Sequence, residues 1–199
     1  MIQPRARHSI EELAKAAHWA GGIKKGRGWD VVEREIGITL PDDYKEMMSI
    51  FPSGFFRNAV SFNNPIDERT DFEKFVREDV RNTIEVIGDR DLDYLEDTDY
   101  RLFPEPGGLL PWGNDMQGGM FCWLTKPDDP NQWPVAYYSQ DLLEWSEHNG
   151  GTIEVIWEIL THVGDDNILH RRLDHELPIF RVPSTYMGND EWLPHAEYR

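Results

Sequence analysis

Three apolar segments lie close together between residues 109 and 139, and they constrain the fold more than any other feature of the sequence. They are Leu109–Trp112, Met120–Thr125 and Trp133–Ser139. Turn-forming residues bound each segment, which is typical of β-strands. The second segment begins MFCWL, with apolar side chains on both faces, and this predicts a central strand covered on both sides. The polar loop KPDDPNQ between the last two segments predicts a hairpin.

Amphipathic segments of helical period surround these strands. They cover residues 29–36, 41–51, 71–87 and 152–163. Glycine follows the first, third and fourth of them, as expected where a helix ends. The last segment has two apolar stripes, so it predicts a largely buried helix that begins at the N-cap Thr152 and includes Val163. Residues 55–62, FFRNAVSF, predict a further strand.

One folded domain over residues 28–164, with an extension at each end, is the predicted organisation. The first extension, residues 1–27, combines a short helix with a flexible linker, AGGIKKGRG. Ser9 and Glu12 have the spacing of a capping box at the start of that helix. The second extension, residues 165–199, is polar and contains prolines, so we expect an irregular tail packed on the domain.

The formal net charge of −17 restricts the classes of partner. Residues 1–30 carry a local charge of +3, so the remainder of the chain carries −20. A field of that sign repels nucleic acid and anionic membranes and attracts basic proteins. We therefore expect a protein partner, with no direct nucleic-acid binding and no membrane binding.

The single cysteine excludes an internal disulfide framework and any zinc site built from several thiolates. A reduced, cytoplasmic setting is the simplest match for this composition. The N-terminus lacks the apolar core of a secretory signal, and no apolar run has the length of a membrane helix.

Catalytic and cofactor motifs are absent or incomplete. Asp89, Asp91 and Asp93 reproduce the start of an EF-hand loop, but Tyr94 and Tyr100 stand where glycine and a bidentate glutamate are needed. The glycine-rich segments lack both the Walker ending and the dinucleotide spacing. Cys122 lies in an apolar strand without a base at a family-like spacing, which favours a structural role. We expect no metal and no cofactor.

Four short motifs follow one another in a recognisable order. These are L-P-x-D-Y at Leu40–Tyr44, L-P-W-G at Leu110–Gly113, C-W at Cys122–Trp123 and W-P-V at Trp133–Val135. Over residues 28–164 this order resembles the SUKH superfamily, which includes a yeast cell-wall assembly regulator and many bacterial toxin-immunity proteins. The resemblance implies an α+β fold, with a mostly antiparallel sheet of about four to six strands packed by helices. No catalytic residue comes with the family.

The leading functional hypothesis is an immunity-type protein, not an enzyme, that neutralises a basic, nuclease-like toxin through an acidic surface. A regulatory scaffold without a toxin partner is the first alternative, and a hydrolase that uses paired carboxylates is the second. The expected partner contacts are the acids of the connector at residues 89–105 and of the nearby loops, together with one tryptophan. They are Asp89, Asp91, Asp93, Asp97, Asp99, Asp115, Asp128, Asp129 and Trp133.

Overall fold

The prediction of a mostly antiparallel sheet is confirmed. The described residues form an eight-stranded sheet in which each strand is antiparallel to its neighbours. The computed structural model describes residues 8–89, 94–95, 98–115, 117–126, 128–183 and 192–194. The strands are β1 Gly54–Phe56, β2 Val60–Phe62, β3 Leu109–Asn114, β4 Met120–Leu124, β5 Val135–Ser139, β6 Glu144–His148, β7 Phe180–Pro183 and β8 Trp192–Pro194. Their order across the sheet is β6-β5-β4-β3-β2-β1-β7-β8. The sheet thus has more strands than the four to six predicted.

The three predicted strands occupy neighbouring positions, and β4 lies between β3 and β5. Phe121 and Trp123 of β4 face the main hydrophobic core, whereas Met120 and Cys122 face a second, smaller cluster. The side chains of a strand alternate between the two faces, so β4 needs cover on both of them. The prediction of a central strand covered on both sides is therefore confirmed.

Five helices pack on this sheet in the described residues. They are α1 Ile10–Ala16, α2 Trp29–Ile36, α3 Asp42–Ile50, α4 at residues 72–87 and α5 Thr152–Thr161. Helix α4 is not uniform, because its middle section, Phe75–Asn82, is π-helical. It begins in the main core with Phe75 and ends against the second cluster with Ile87.

The N-terminus of α5 differs from the prediction. Gly151 is the N-cap, and Thr152 is buried, where its hydroxyl accepts a hydrogen bond from Trp123 Nε1 at 3.1 Å. The first turn is capped from another helix, since Asp43 of α3 accepts from the Ile153 backbone N–H at 3.3 Å. The predicted C-terminus of α5 is also wrong. Val163 was expected in the buried stripe of the helix, but it lies beyond the helix and is 77% exposed.

Both extensions contribute to the core. Helix α1 has the predicted Ser9–Glu12 capping box, and its Leu13 is fully buried. The prediction of a flexible linker is wrong for residues 24–27, because the backbone of this segment is hydrogen-bonded to residues 66 and 68. The tail is not wholly irregular, because β7 pairs with β1 and the Phe180 N–H donates to the Ala17 carbonyl at 2.9 Å. Helix α1 and strand β7 thus close the main core together.

Arg57 connects the hairpin β1–β2 to α5 and to the tail. Arg57, Asn58 and Ala59 connect β1 to β2, and the φ values of Arg57 and Asn58, 49° and 50°, lie in the left-handed region that tight hairpin turns use. The Arg57 side chain is buried, and its Nη1 donates to the carbonyls of Ile159, Leu160 and His162 at 3.0–3.1 Å. Nη2 and Nε donate to the Leu173 and Glu176 carbonyls at 2.9 and 3.3 Å. A cation at this position also meets the negative end of the α5 dipole.

Replacing Arg57 is expected to destabilise the whole domain. Arg57→Met removes the guanidinium donor from five backbone carbonyls, of which Leu173 keeps a second donor in the Glu176 N–H, so we expect the free energy of unfolding to fall by about 3 kcal/mol or more. Arg77→Met is the control, because Arg77 is exposed and among the described residues pairs only with its neighbour Glu78, and it should change stability by less than about 0.5 kcal/mol. Urea unfolding measures both values, and equal effects of the two substitutions would contradict this account.

Candidate partner-binding surface

The described residues of the acidic connector, 94–95 and 98–105, include aromatic side chains that pack on β5 and β6. Tyr94 packs edge-on against Tyr138 at 4.8 Å, and Tyr100 does the same with Trp145 at 5.4 Å. The Trp145 indole N–H donates to the Tyr94 carbonyl at 2.7 Å. These contacts form the second hydrophobic cluster, so the apolar residues of the connector cover the sheet while Asp89 and Asp99 stay exposed.

Tyr100 joins the connector to the edge strand. Its hydroxyl donates to Glu147 Oε1 of β6 at 2.6 Å. Burial raises the pKa of the Tyr100 hydroxyl and the Glu147 carboxylate raises it further, so the proton stays on the tyrosine. The carboxylate of an exposed residue is thereby held at a fixed position on the surface.

An open groove of about 890 Å³ brings two of the predicted acids together. Asp99 lines it from the connector and Asp128 from the loop between β4 and β5, with Glu147 beside them. Arg101 and Lys126 also line the groove, so its charge is mixed with an excess of acid. We call this the acidic groove.

Residues 128–132, between β4 and β5, have a defined conformation next to the acidic groove. Asp129 caps a short 3₁₀ helix, Pro130–Gln132, by accepting from the Asn131 N–H at 3.0 Å. Asn131 in turn exchanges two hydrogen bonds with Asp42 at the start of α3, at 2.8 and 2.9 Å. Asp128 and Asp129 are both exposed on this loop. A surface held in this way loses little conformational entropy on binding.

Two predicted contact residues are buried, and their assignment to an exposed surface is corrected. Trp133 is 3% exposed and packs in the main core against Trp123. Asp115 is 6% exposed, and it holds the β3–β4 turn by accepting from the Gln117 and Gly119 N–H groups, both at 2.7 Å. The other oxygen of Asp115 accepts from the Tyr137 hydroxyl at 2.7 Å. Asp115 is thus a turn residue with its hydrogen-bonding capacity in use.

The remaining predicted acids are Asp91, Asp93 and Asp97, which lie outside the described residues. The tip of the β5–β6 hairpin was not predicted. It carries Leu142 and Leu143, which are 51% and 68% exposed, next to exposed Asp141 and Glu144. The doublet of leucines between acids was visible in the sequence, but β6 itself is too polar to be recognised as a strand.

Cys122 is fully buried on the second face of β4. Burial raises the pKa of its thiol, so the thiolate required of a nucleophile is disfavoured there. Among the described residues, no group of three or more histidine, cysteine and acidic side chains could hold a metal ion. None of the helices in this part of the chain has the length and apolar character to cross a membrane.

The thiol of Cys122 is expected to resist alkylation in the folded protein. Because the sulfur is inaccessible and protonated, its reaction with iodoacetamide should be at least about a hundred-fold slower than after unfolding in urea. Gln140→Cys in a Cys122→Ala background is the control, because residue 140 is exposed and should react without urea. Mass spectrometry counts the modified thiols, and rapid native labelling of Cys122 would contradict its structural role.

The comparison with protein families agrees with the order of motifs and with this fold. A family model described as SUKH_6, SMI1-KNR4 cell-wall, matches residues 28–162, about two thirds of the chain. The chain belongs to the SUKH family. No curated protein matches the chain, and no solved structure matches it.

The SUKH match contains the acidic groove but omits parts of the core. The groove residues Asp99, Asp128 and Glu147 lie within residues 28–162. Helix α1 and strand β7 lie outside that range, although Leu13 and Phe180 are fully buried. In this SUKH protein the two flanking segments are therefore additions to the hydrophobic core.

Proposed function

We propose that this SUKH protein is an immunity-type protein, which binds a basic, nuclease-like toxin through its acidic surface and thereby neutralises it. The single observation that carries the proposal is the placement of Asp99 and Asp128 on one open groove of a chain with a net charge of −17. A nuclease must be basic where it holds phosphate, so an acidic surface can occupy the same site.

The distribution of positive charge supports this proposal. Several basic side chains are neutralised within the fold: Lys24 pairs with Glu68, and Lys45 contacts Glu33 at 2.6 Å and Asp42 at 3.7 Å. Arg27 lies over the Phe72 ring at 4.2 Å. The excess of acids is left for the surface, where it accelerates encounter with a cationic partner.

The tip of the β5–β6 hairpin is a separate apolar feature of the surface. Leu142 and Leu143 are exposed there, at the end of the hairpin opposite to Pro134 and Glu147 of the acidic groove. Charged contacts govern the rate of association, whereas buried apolar anchors slow dissociation. A chain that offers both kinds of contact suits a protein partner better than a small substrate.

Association with the toxin is expected to depend strongly on salt. The partner for this test is the toxin domain encoded beside the gene for this chain, and the chain should restore growth when it is produced together with that toxin. Because charge attraction is screened by ions, the association rate should fall at least about ten-fold between low and high salt. Stopped-flow mixing measures this rate, and a salt-independent value would contradict the acidic-surface mechanism.

Charge reversal tests the position of the surface. Asp99→Lys with Asp128→Lys should lower the association rate at least about ten-fold more than the control Glu11→Lys with Glu46→Lys. Both pairs of acids are exposed and both double variants change the net charge equally, but the control pair lies on α1 and α3. Equal effects would place the contact elsewhere. Stable complexes with other cellular proteins, and no toxin beside the gene, would favour the regulatory scaffold instead.

A further inference from the structure

A second cleft, of about 260 Å³, lies between α4 and the strands β1, β2 and β3. Buried Trp112 and Met120 line its inner part, and partly exposed Phe55 supplies an aromatic ring. Asn63, Asn82 and Asn114 are exposed and line it as well. The cleft is separate from the acidic groove, which shares none of these residues.

Asp79 is the charged side chain of this cleft, and within the described residues it has no ion-pair partner. Its one hydrogen bond to a side chain comes from Asn63 Nδ2 at 2.8 Å. Burial raises the pKa of the Asp79 carboxyl, and the Asn63 hydrogen bond and the charge of Lys74 offset this rise only in part. A partly buried carboxylate of this kind gains more from a bound cation than a fully hydrated one does.

Trp112 forms part of the inner wall of the cleft. The side chain is 5% exposed, and its Nε1–H is buried without a hydrogen-bond partner among the described residues. Trp123, the neighbouring indole at 5.9 Å, does have an acceptor in Thr152. The Trp112 indole N–H therefore reports on changes at the inner wall when the cleft is occupied.

The backbone around Asp79 has an unusual conformation. Asp79 and Asn82 belong to the π-helical section Phe75–Asn82 of α4. The π-helix is rare and occurs frequently at functional sites, where it changes the direction of side chains relative to a regular helix. In this protein the π-helical section contains Asp79, the carboxylate without an ion-pair partner among the described residues.

We propose that this cleft binds an arginine side chain of the protein partner, with Asp79 as its counter-ion. The lining contains no lysine or arginine, which disfavours an anionic ligand. A guanidinium group is planar, so it can pair with the Asp79 carboxylate and stack on the Phe55 ring. Lysine offers neither the planar fork nor the stacking surface.

This inference rests on the proposed function only for the source of the arginine. The preference for a guanidinium group is a property of the cleft itself, so it can be measured without the toxin. Failure of the arginine test would leave the acidic groove and its salt dependence untouched. Conversely, a toxin that binds without using the cleft would still leave a guanidinium site on this chain to be measured.

The test uses the full chain labelled with ¹⁵N and the peptide acetyl-Gly-Arg-Gly-amide as the probe. We expect saturable changes at the Trp112 indole N–H and the Asn63 side-chain amide, with a dissociation constant of order millimolar for one anchored side chain. The matched peptide with citrulline in place of arginine has the same shape without the charge, and it should bind at least about ten-fold more weakly.

Two variants make the result decisive. Asp79→Asn keeps the shape and the Asn63 contact but removes the charge, and it should weaken arginine-peptide binding at least about ten-fold. Glu78→Gln removes one charge from the next residue, which is exposed and pairs with Lys74 and Arg77, and it should have no such effect. Equal affinity for the two peptides, no saturable change, or equal effects of the two variants would overturn the proposal.

Discussion

The arrangement of strands and helices in this SUKH protein depends on the hydrogen bonds of the Arg57 guanidinium group. It joins the β1–β2 turn to the end of α5 and to the C-terminal segment through five backbone carbonyls. Those carbonyls lie in segments without regular hydrogen bonding, at a helix end and in a loop, where buried acceptors need a donor. With that donor in place, β7 can pair with β1 and close the main core against α1.

Burial on both faces of β4 gives the sheet two different layers. The main core holds α1, α3 and α5 on one face, and the connector supplies most of the cover on the other. Because Tyr100 packs on Trp145, the neighbouring residue Asp99 is displayed on the same groove as Asp128. The acidic groove is thus a consequence of how the second face is covered.

Charge is used differently in the interior and on the surface. Buried Asp43, Asp67 and Asp115 accept hydrogen bonds that cap or fix neighbouring backbone. The Asp67 carboxyl shows the balance: burial acts to raise its pKa, but the Arg69 side chain and backbone N–H lower it overall. Asp79 differs from these three because it fixes no backbone: its one side-chain hydrogen bond comes from the Asn63 amide, and burial raises its pKa.

The sequence by itself determined the three central strands, the helix segments, the Ser9–Glu12 cap and the covered position of β4, because apolar period and turn residues are local signals. Tertiary structure decided which polar residues are accessible. Asp115 and Asp128 both lie in polar loops, yet one is buried by its hydrogen bonds and the other faces solvent. Likewise, only the folded chain brings Asp99 and Asp128 to one groove and places the Arg57 guanidinium group within hydrogen-bonding distance of its carbonyl acceptors. These residues are distant in sequence, so no local pattern predicts that they meet.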